Sequence, residues 1–380
     1  MTDDGQLPLE AYLTALCSLD DLGPGRLRWM LRLGTPEEVW ERVRSARLPV
    51  PPPRVAPAAI TAAWAQQSAG IDPSRVWERC GRLGVGVVAL GGPGYPPSLV
   101  DDVDPPVVLF HLGDPDRISS PRVGIVGTRR ATGYGLQVAR EFGRALAAAG
   151  ASVVSGLALG IDAAAHDGAL AGGPDHAAPI AVVAAGLDAP CPRRNRPLAG
   201  RVADAGVVFS EVPPGVSAAP WRFPVRNRVI AALSDVVVVV ESPGAGGSMV
   251  TVREAMERDR PVLSVPGPIH SRASEGTNRL IGDGALVAAG VDDVLMALGL
   301  DASERGRSGT PRTAPLDARA APRGDAEAVL EAIGWRPSSI DQLALRCGLD
   351  FRGISRALAE LESAGWIQRT DGWIERVARG

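Results

Sequence analysis

One stretch of sequence decides the fold: residues 123–160 read VGIVGTRRATGYGLQVAREFGRALAAAGASVVSGLALG. It contains two short apolar runs, at 123–127 and 151–155, with a glycine-rich turn and a helical segment between them. The same unit of strand, turn and helix recurs along the chain, with further apolar runs at 180–185, 207–210, 235–240 and 261–265. Unbroken Val and Ile runs are typical of strands that are buried on both faces of a parallel sheet. The sequence therefore predicts an α/β protein with a doubly wound, Rossmann-like and mostly parallel sheet.

The segments on either side of this sheet predict smaller domains. Residues 1–68 predict a small helical domain, because apolar residues recur at three- and four-residue spacing, and the Gly-x-Gly turn between two of its helices favours the helix-hairpin-helix or SAM-like kind. The Rossmann-like domain is expected over 75–299, and a flexible linker over 300–323, where Ser, Arg, Pro and Gly show no apolar period. Residues 324–380 predict a winged helix, with three helices, the second beginning at Ser338, and a terminal hairpin.

Overall composition limits the possible functions. A formal net charge of −3 gives no global attraction for nucleic acid, so a nucleic-acid site must be a local patch. The four cysteines lie far apart without a C-x-x-C pair, which argues against a zinc site or a disulfide framework. The acidic N-terminus does not resemble a signal peptide, and the longest apolar run, 236–240, is too short to span a membrane. We therefore expect a cytoplasmic protein with no metal, no cofactor and no membrane segment.

Unusual residues follow the first strand of the predicted sheet. In an open parallel sheet, ligands bind at the carboxyl ends of the strands. The residues at this end are Gly127, Thr128, Arg129 and Arg130. A helix is expected to begin near Thr132, and its free N–H groups together with two guanidinium groups suit a phosphate. The alternative is an ordinary Rossmann turn with incidental surface arginines, because the G-x-G-x-x-G spacing of dinucleotide binders is absent.

A second group of candidates lies between the fourth and fifth strands, where residues 221–228 read WRFPVRNR. The candidate DNA ligands in it are Phe223, Arg226, Asn227 and Arg228. Guanidinium groups bind phosphates, aromatic rings stack on unpaired bases, and an amide offers both a donor and an acceptor to a base edge. The alternative is a helix start with a solvated arginine face.

The glycine-rich loop after the fifth strand adds Gly247 and Ser248. Its glycines allow the backbone to approach a ligand closely, and Ser248 could cap the following helix while donating to a phosphate. A tight turn without a ligand is the alternative. Three loops of this kind at one sheet edge favour a shared binding site.

Two further features have a structural and a functional interpretation. Asp162 and His166 share a face of a predicted helix and could bind a metal, but no third ligand is evident nearby, so we expect a hydrogen bond between them. Gly23-Pro24-Gly25 lies between two predicted helices and could seat a phosphate at the start of the second helix. A packing role is the favoured interpretation of this motif.

Six ordered stretches resemble the DNA-processing protein A (DprA/Smf) family. They are VGIVGTRRATGYG, SGLALGIDAAAH, FPVRNRVIAALSDVVVVVE, GGSMVT, VPGPI and GTNRLIGDGA, within residues 121–299. The resemblance implies a cytosolic homodimer that binds and protects incoming single-stranded DNA during natural transformation and helps to load the RecA recombinase, without enzymatic activity. It also implies a DNA pocket formed by Gly127, Thr128, Arg129, Phe223, Arg226, Asn227, Gly247 and Ser248. The chain departs from the family at 185–192, which reads AGLDAPCP, and at GGSMVTV, where Thr-Ala is usual.

Two other function classes are alternatives to this one. A nucleotide phosphoribohydrolase with a related core would need a glutamate at Thr251, where a hydroxyl cannot serve as the carboxylate base. A transcription regulator would read duplex DNA with its winged helix. Residues 325–380, however, hold nine Asp and Glu against seven Arg, and the third helix offers only Arg352 and Arg356 before two glutamates. Phosphate binding needs a basic excess, so protein docking or weak DNA contact is expected there.

Overall fold

The computed structural model describes residues 7–118, 121–173, 176–189, 192–300, 322–333, 338–370 and 373–377. The chain divides into two compact units. The sheet unit comprises Met1–Ala131 and Ala139–Leu300, and the winged-helix unit comprises Thr132–Val138 and Asp301–Gly380. The predicted linker at 300–323 falls almost entirely outside the described residues.

The sheet unit begins with five short helices: α1 (Leu9–Cys17), α2 (Pro24–Leu31), α3 (Pro36–Arg44), α4 (Ile60–Ser68) and α5 (Pro73–Arg82). A capping box starts α3, because Thr35 Oγ1 accepts from Glu38 N at 3.3 Å and Glu38 Oε2 accepts from Thr35 N at 3.0 Å. The buried faces of these helices include Trp40 and Trp64, which belong to one hydrophobic cluster with Phe110 of the sheet. The helices and the sheet therefore share a core.

Within the described residues, the sheet has nine strands: β1 (Gly86–Ala89), β2 (Val108–Gly113), β3 (Arg122–Val126), β4 (Ser152–Ser155), β5 (Ile180–Val183), β6 (Val207–Ser210), β7 (Val236–Val239), β8 (Val262–Ser264) and β9 (Leu286–Val287). Their spatial order is β1-β2-β6-β5-β4-β3-β7-β8-β9. The pairs β1–β2 and β2–β6 are antiparallel, and all other pairs are parallel. Seven further helices accompany the strands: α6 (Gly133–Ala148), α7 (Ile161–Leu170), α8 (Arg196–Ala205), α9 (Arg222–Leu233), α10 (Ser248–Met256), α11 (Glu275–Gly282) and α12 (Val291–Ala297). This arrangement confirms the predicted doubly wound, mostly parallel sheet.

The strand order reverses at β3, which lies between β4 and β7. Val123 pairs with Val236 on one side and with Val153 on the other, and all three side chains are buried. In open α/β sheets, ligands bind in the crevice at such a reversal, outside the carboxyl ends of the strands. The loops after β3 and β7 are therefore positioned to form a site.

The winged-helix unit contains helices α13 (Asp325–Ile333), α14 (Ile340–Cys347) and α15 (Phe351–Ser363), and the antiparallel strands β10 (Ile367–Thr370) and β11 (Trp373–Arg376). This confirms the winged-helix prediction. The predicted start of α14 is wrong by one residue, because Ser339 forms the capping box with Gln342. Ser338 instead bridges Ile374 through two backbone hydrogen bonds of 2.9 Å. In the described part of the chain, no helix of either unit is both long and apolar enough to cross a membrane.

Candidate nucleic-acid interface

Arg129 and Phe223, predicted from two separate loops, lie in contact. The guanidinium carbon of Arg129 is 4.8 Å from the centroid of the Phe223 ring, which is a cation–π distance. Both side chains line a cavity of about 60 Å³, together with Gly156, Ala158, Leu159, Pro192 and Arg226. The structure thus brings the loop after β3 and the start of α9 together at the edge of the sheet.

Gly127 and Thr128 shape the turn that carries Arg129. Thr128 N donates to Glu241 O at 2.7 Å, which ties the end of β3 to the residues that follow β7. A Cβ atom at Gly127 would lie 2.5 Å from Ile161 Cγ1, so only glycine fits between these elements. The next residue after Arg129, Arg130, is exposed, and its backbone N donates to Thr128 Oγ1 at 3.2 Å. Gly127 and Thr128 therefore serve in this structure to position the turn that carries Arg129.

Arg226 lines the cavity from within a helix and is not an exposed loop residue. It lies within α9 and is only 6% exposed, because its helix face packs onto the sheet. Its Nη1 donates to Val182 O at 2.8 Å, while its Nε has no hydrogen-bond partner among the described residues. Burial lowers the pKa of Arg226 to about 10, against the opposing charge of Asp162, so the guanidinium is protonated at neutral pH. A buried cation with an unused donor favours a ligand that accepts hydrogen bonds.

The predicted hydrogen bond between Asp162 and His166 is wrong. Asp162 lies in the first turn of α7, where its Oδ2 accepts from Gly156 N at 3.2 Å, and burial raises its pKa. His166 is fully buried, and burial lowers its pKa to about 4, so its ring is neutral at pH 7. Among the residues that the structure describes, no group of three or more His, Cys, Asp or Glu side chains could hold a metal ion.

The burial and the ion pairs of Arg228 contradict the prediction that this residue is a DNA ligand. Its side chain is 5% exposed, and it donates hydrogen bonds to Asp104 O and to Glu211 Oε1. Its Nε also lies 3.2 Å from Asp104 Oδ2. The guanidinium is turned away from solvent because two carboxylates surround it. It is therefore part of the internal framework that holds α9.

Asn227 and the loop before α10 form a second contact between predicted residues. Asn227 Nδ2 donates to Gly247 O at 3.3 Å, and Gly247 is exposed. Ser248 does not cap α10 as predicted, because it is the first residue of the helix and Gly247 occupies the cap position. The Ser248 hydroxyl is buried and donates to Ser242 Oγ at 2.8 Å. Because the Ser248 hydroxyl is buried and bonded to Ser242, Ser248 has a packing role in this structure.

The family model for DNA recombination-mediator protein A matches residues 86–299, and the model for the DprA winged helix domain matches residues 311–372. The chain belongs to the DNA recombination-mediator protein A (DprA) family. It is 35% identical to Protein Smf of Escherichia coli over 291 residues, 75% of this chain and 75% of that protein. It is 38% identical to a putative DNA processing protein DprA of Mycobacterium tuberculosis over 271 residues, 70% of this chain and 68% of that protein.

Two solved DprA structures resemble the fold. The Streptococcus pneumoniae protein superposes with a TM-score of 0.62 at 29% identity, covering 76% of this chain and 96% of that chain. The Helicobacter pylori protein superposes with a TM-score of 0.51 at 31% identity, covering 56% of this chain and 95% of that chain. The latter structure concerns the single-stranded DNA binding mode of the H. pylori protein. These matches confirm the family resemblance that the six sequence stretches indicated.

The sequence did not identify the residues that close the cavity from the β4 side. A Cβ atom at Gly156 would lie 1.6 Å from Arg226 Nη1, so this glycine makes room for the buried guanidinium. Asn195 Nδ2 donates to Leu157 O at 2.8 Å and to Ala158 O at 3.1 Å, which fixes the cavity wall. The glycines of SGLALG were a signal for close packing, whereas nothing around Asn195 indicated its role.

Proposed function

We propose that this protein binds single-stranded DNA at the cavity between Arg129 and Phe223 and acts as a recombination mediator. The observation that carries this proposal is a guanidinium and an aromatic ring in contact above the buried cation of Arg226. Aromatic rings stack on bases that are not paired, and guanidinium groups bind the phosphates between them. The DNA binding mode of the H. pylori relative supports the same choice of ligand.

The charge distribution makes the interaction local. The whole chain carries a formal net charge of −3, so attraction for DNA must come from the few arginines near the cavity. If about three to five phosphates are neutralised, the logarithm of the affinity should fall with the logarithm of the salt concentration with a slope of about −2 to −4. A steeper slope would indicate a larger basic surface than this cavity provides.

The remaining parts of the proposal rest on the family. The bound strand is incoming DNA in natural transformation, which the protein shields and delivers to the RecA recombinase in the cytoplasm. We propose no enzymatic activity, because Thr251, at the position of the rival hydrolase's glutamate, is a buried residue with a hydroxyl group. Gly247 and Asn227 are proposed as further contacts beside the cavity, and Arg130 as an exposed phosphate ligand.

We also propose a homodimer formed through the sheet unit. The edge strand β9 carries two exposed apolar side chains, Leu286 and Val287. An apolar edge strand can pair with a second chain. Two linked cavities would raise the apparent affinity for a strand long enough to reach both, by about 100-fold or more. Affinity should then rise in a step with oligonucleotide length, and native mass spectrometry should show a dimer.

The test is a comparison of oligo-dT with a duplex of equal length by fluorescence anisotropy at fixed salt. The single strand should bind more tightly, and Arg129→Ala should weaken binding by about 1.5–3 kcal/mol through loss of a charge-assisted contact. Arg82→Ala is the matched control, because Arg82 is an exposed arginine on α5 outside the cavity. Equal affinity for both forms of DNA, or equal loss in both variants, would contradict the proposal.

A further inference from the structure

A second cavity lies at the start of α9, within the sheet unit. It has a volume of about 40 Å³, and its walls include Gly23, Pro24, Leu27, Val182, Trp221 and Arg226. The first three belong to the beginning of α2, so the Gly23-Pro24-Gly25 motif forms part of this wall. A Cβ atom at Gly23 would lie 3.3 Å from Trp221 Cζ3, which shows how closely the motif approaches the indole ring.

The geometry of α9 relates the two cavities. Trp221 and Phe223 are two residues apart at the start of the helix, and successive helical residues are rotated by about 100°. Their side chains therefore project to nearly opposite sides, Trp221 into the second cavity and Phe223 into the first. Arg226 follows Phe223 by three positions and lines both cavities.

The side chains at the second cavity suit a nucleobase. Trp221 is 37% exposed, and the guanidinium carbon of Arg222 lies 4.9 Å from the centroid of its ring. Arg226 is more than nine-tenths buried, and its Nε has no partner among the described residues, so a hydrogen-bond donor is available to an acceptor on a base edge.

The charges around this cavity disfavour a phosphate. Arg222 interacts with the negative charges of Asp20 and Asp21, and Glu211 also lines the cavity. These carboxylates offset much of the positive charge of Arg222, which weakens its attraction for a phosphate, whereas stacking of a neutral base does not depend on that charge.

We propose that the bound DNA strand continues past the Arg129–Phe223 cavity and stacks a second base on Trp221, with the base edge facing Arg226. This inference rests on the proposed binding of single-stranded DNA and extends it to a second base-binding subsite. The start of α9 then separates two bases of one strand, and the N-terminal helices contribute a wall of the subsite through Gly23 and Pro24. Stacking is tolerant of sequence, so the subsite accepts any of the four bases.

The first experiment measures the affinity of the full chain for oligo-dT of about 4 to about 16 nucleotides. Trp221→Ala should reduce the affinity for long oligonucleotides about tenfold, as expected for one lost stacking contact. Trp221→Phe should restore most of this affinity, because it retains an aromatic face.

The second experiment follows tryptophan fluorescence during titration with oligo-dT. Stacking of a base on Trp221 should quench the emission of the wild type, and Trp221→Phe should abolish that quenching while binding persists. Trp373→Phe is the matched control, because Trp373 is another partly exposed tryptophan, 47% exposed in the winged-helix unit. Its quenching should equal that of the wild type.

The outcomes separate this inference from the proposed function. Failure of the wild type to bind oligo-dT would overturn both. Binding that requires Arg129 but is unchanged in Trp221→Ala at every length would overturn the second subsite alone. Quenching that disappears in Trp373→Phe instead of Trp221→Phe would also overturn it, because the aromatic contact would then lie in the winged helix.

Discussion

Two regions of this protein carry arginines that could meet DNA, and they differ in how those arginines are paired. At the first cavity, Arg129 and Arg226 form no ion pair with any described residue, although the charge of Asp162 acts on Arg226, and the Phe223 ring lies beside Arg129. In the winged-helix unit, Arg356 Nη2 lies 3.0 Å from Asp325 Oδ2, and Arg369 Nε lies 3.0 Å from Glu362 Oε2. A guanidinium already held by a carboxylate has little left for a phosphate. Pairing therefore distinguishes Arg356 and Arg369 from the arginines at the first cavity.

The same contrast exists within α9 between Arg226 and Arg228. Both are buried, yet Arg226 bonds only to a backbone carbonyl, whereas Arg228 is surrounded by Asp104 and Glu211. Asp104 also pairs with Arg28 of α2, so this network joins the N-terminal helices to α9. One arginine is available to a ligand and the other maintains the framework around it.

The largest expected effect concerns that framework. Arg228→Met should reduce the free energy of unfolding by about 3–5 kcal/mol, because it leaves the buried charge of Glu211 without its partner and leaves Asp104 with Arg28 alone. Urea unfolding of the full chain measures this, with the exposed Arg82→Met as control, expected within about 0.5 kcal/mol of the wild type. A variant as stable as the control but deficient in DNA binding would restore Arg228 as a DNA ligand.

A second prediction uses pH to probe the sheet unit alone. The pKa of His166 is about 4 in the folded protein against an ordinary 6.5, so the unfolded chain binds a proton at a pH where the folded chain does not. Its contribution to stability is therefore present above pH 6.5 and is lost as the pH falls to about 4, by about 3 kcal/mol. Urea unfolding of wild type and His166→Leu across this range should show a flatter pH dependence in the variant. Identical slopes would refute the assignment to His166.

The smallest expected effect concerns the winged helix. A chain truncated after Leu300 should remain folded and keep its affinity for oligo-dT within about threefold, because paired surface arginines contribute little. Circular dichroism and anisotropy on the truncated and full chains measure this. Loss of most of the affinity would reverse the comparison and make the winged helix the main DNA surface.

The sequence alone was sufficient for the sheet and for the expectation that the candidate residues lie at one edge of it. Apolar runs such as 235–240 become buried parallel strands because their Val side chains must leave water on both faces. The loops after these strands converge because parallel strands share one carboxyl edge. The sequence predicted that these loops share one edge of the sheet, and the structure shows the particular contact between Arg129 and Phe223.

The tertiary structure decided which polar side chains are free. Arg228 bonds to Asp104, which lies 124 residues earlier, and Arg226 bonds to Val182 on a strand 44 residues earlier. Ser248 donates to another serine instead of facing a ligand. These hydrogen-bond partners depend on which elements become neighbours after folding, and no local sequence pattern predicts them. Burial and ion pairing determine whether a polar side chain is available to a ligand. Both depend on the packing of the whole unit, and so only the tertiary structure decided them.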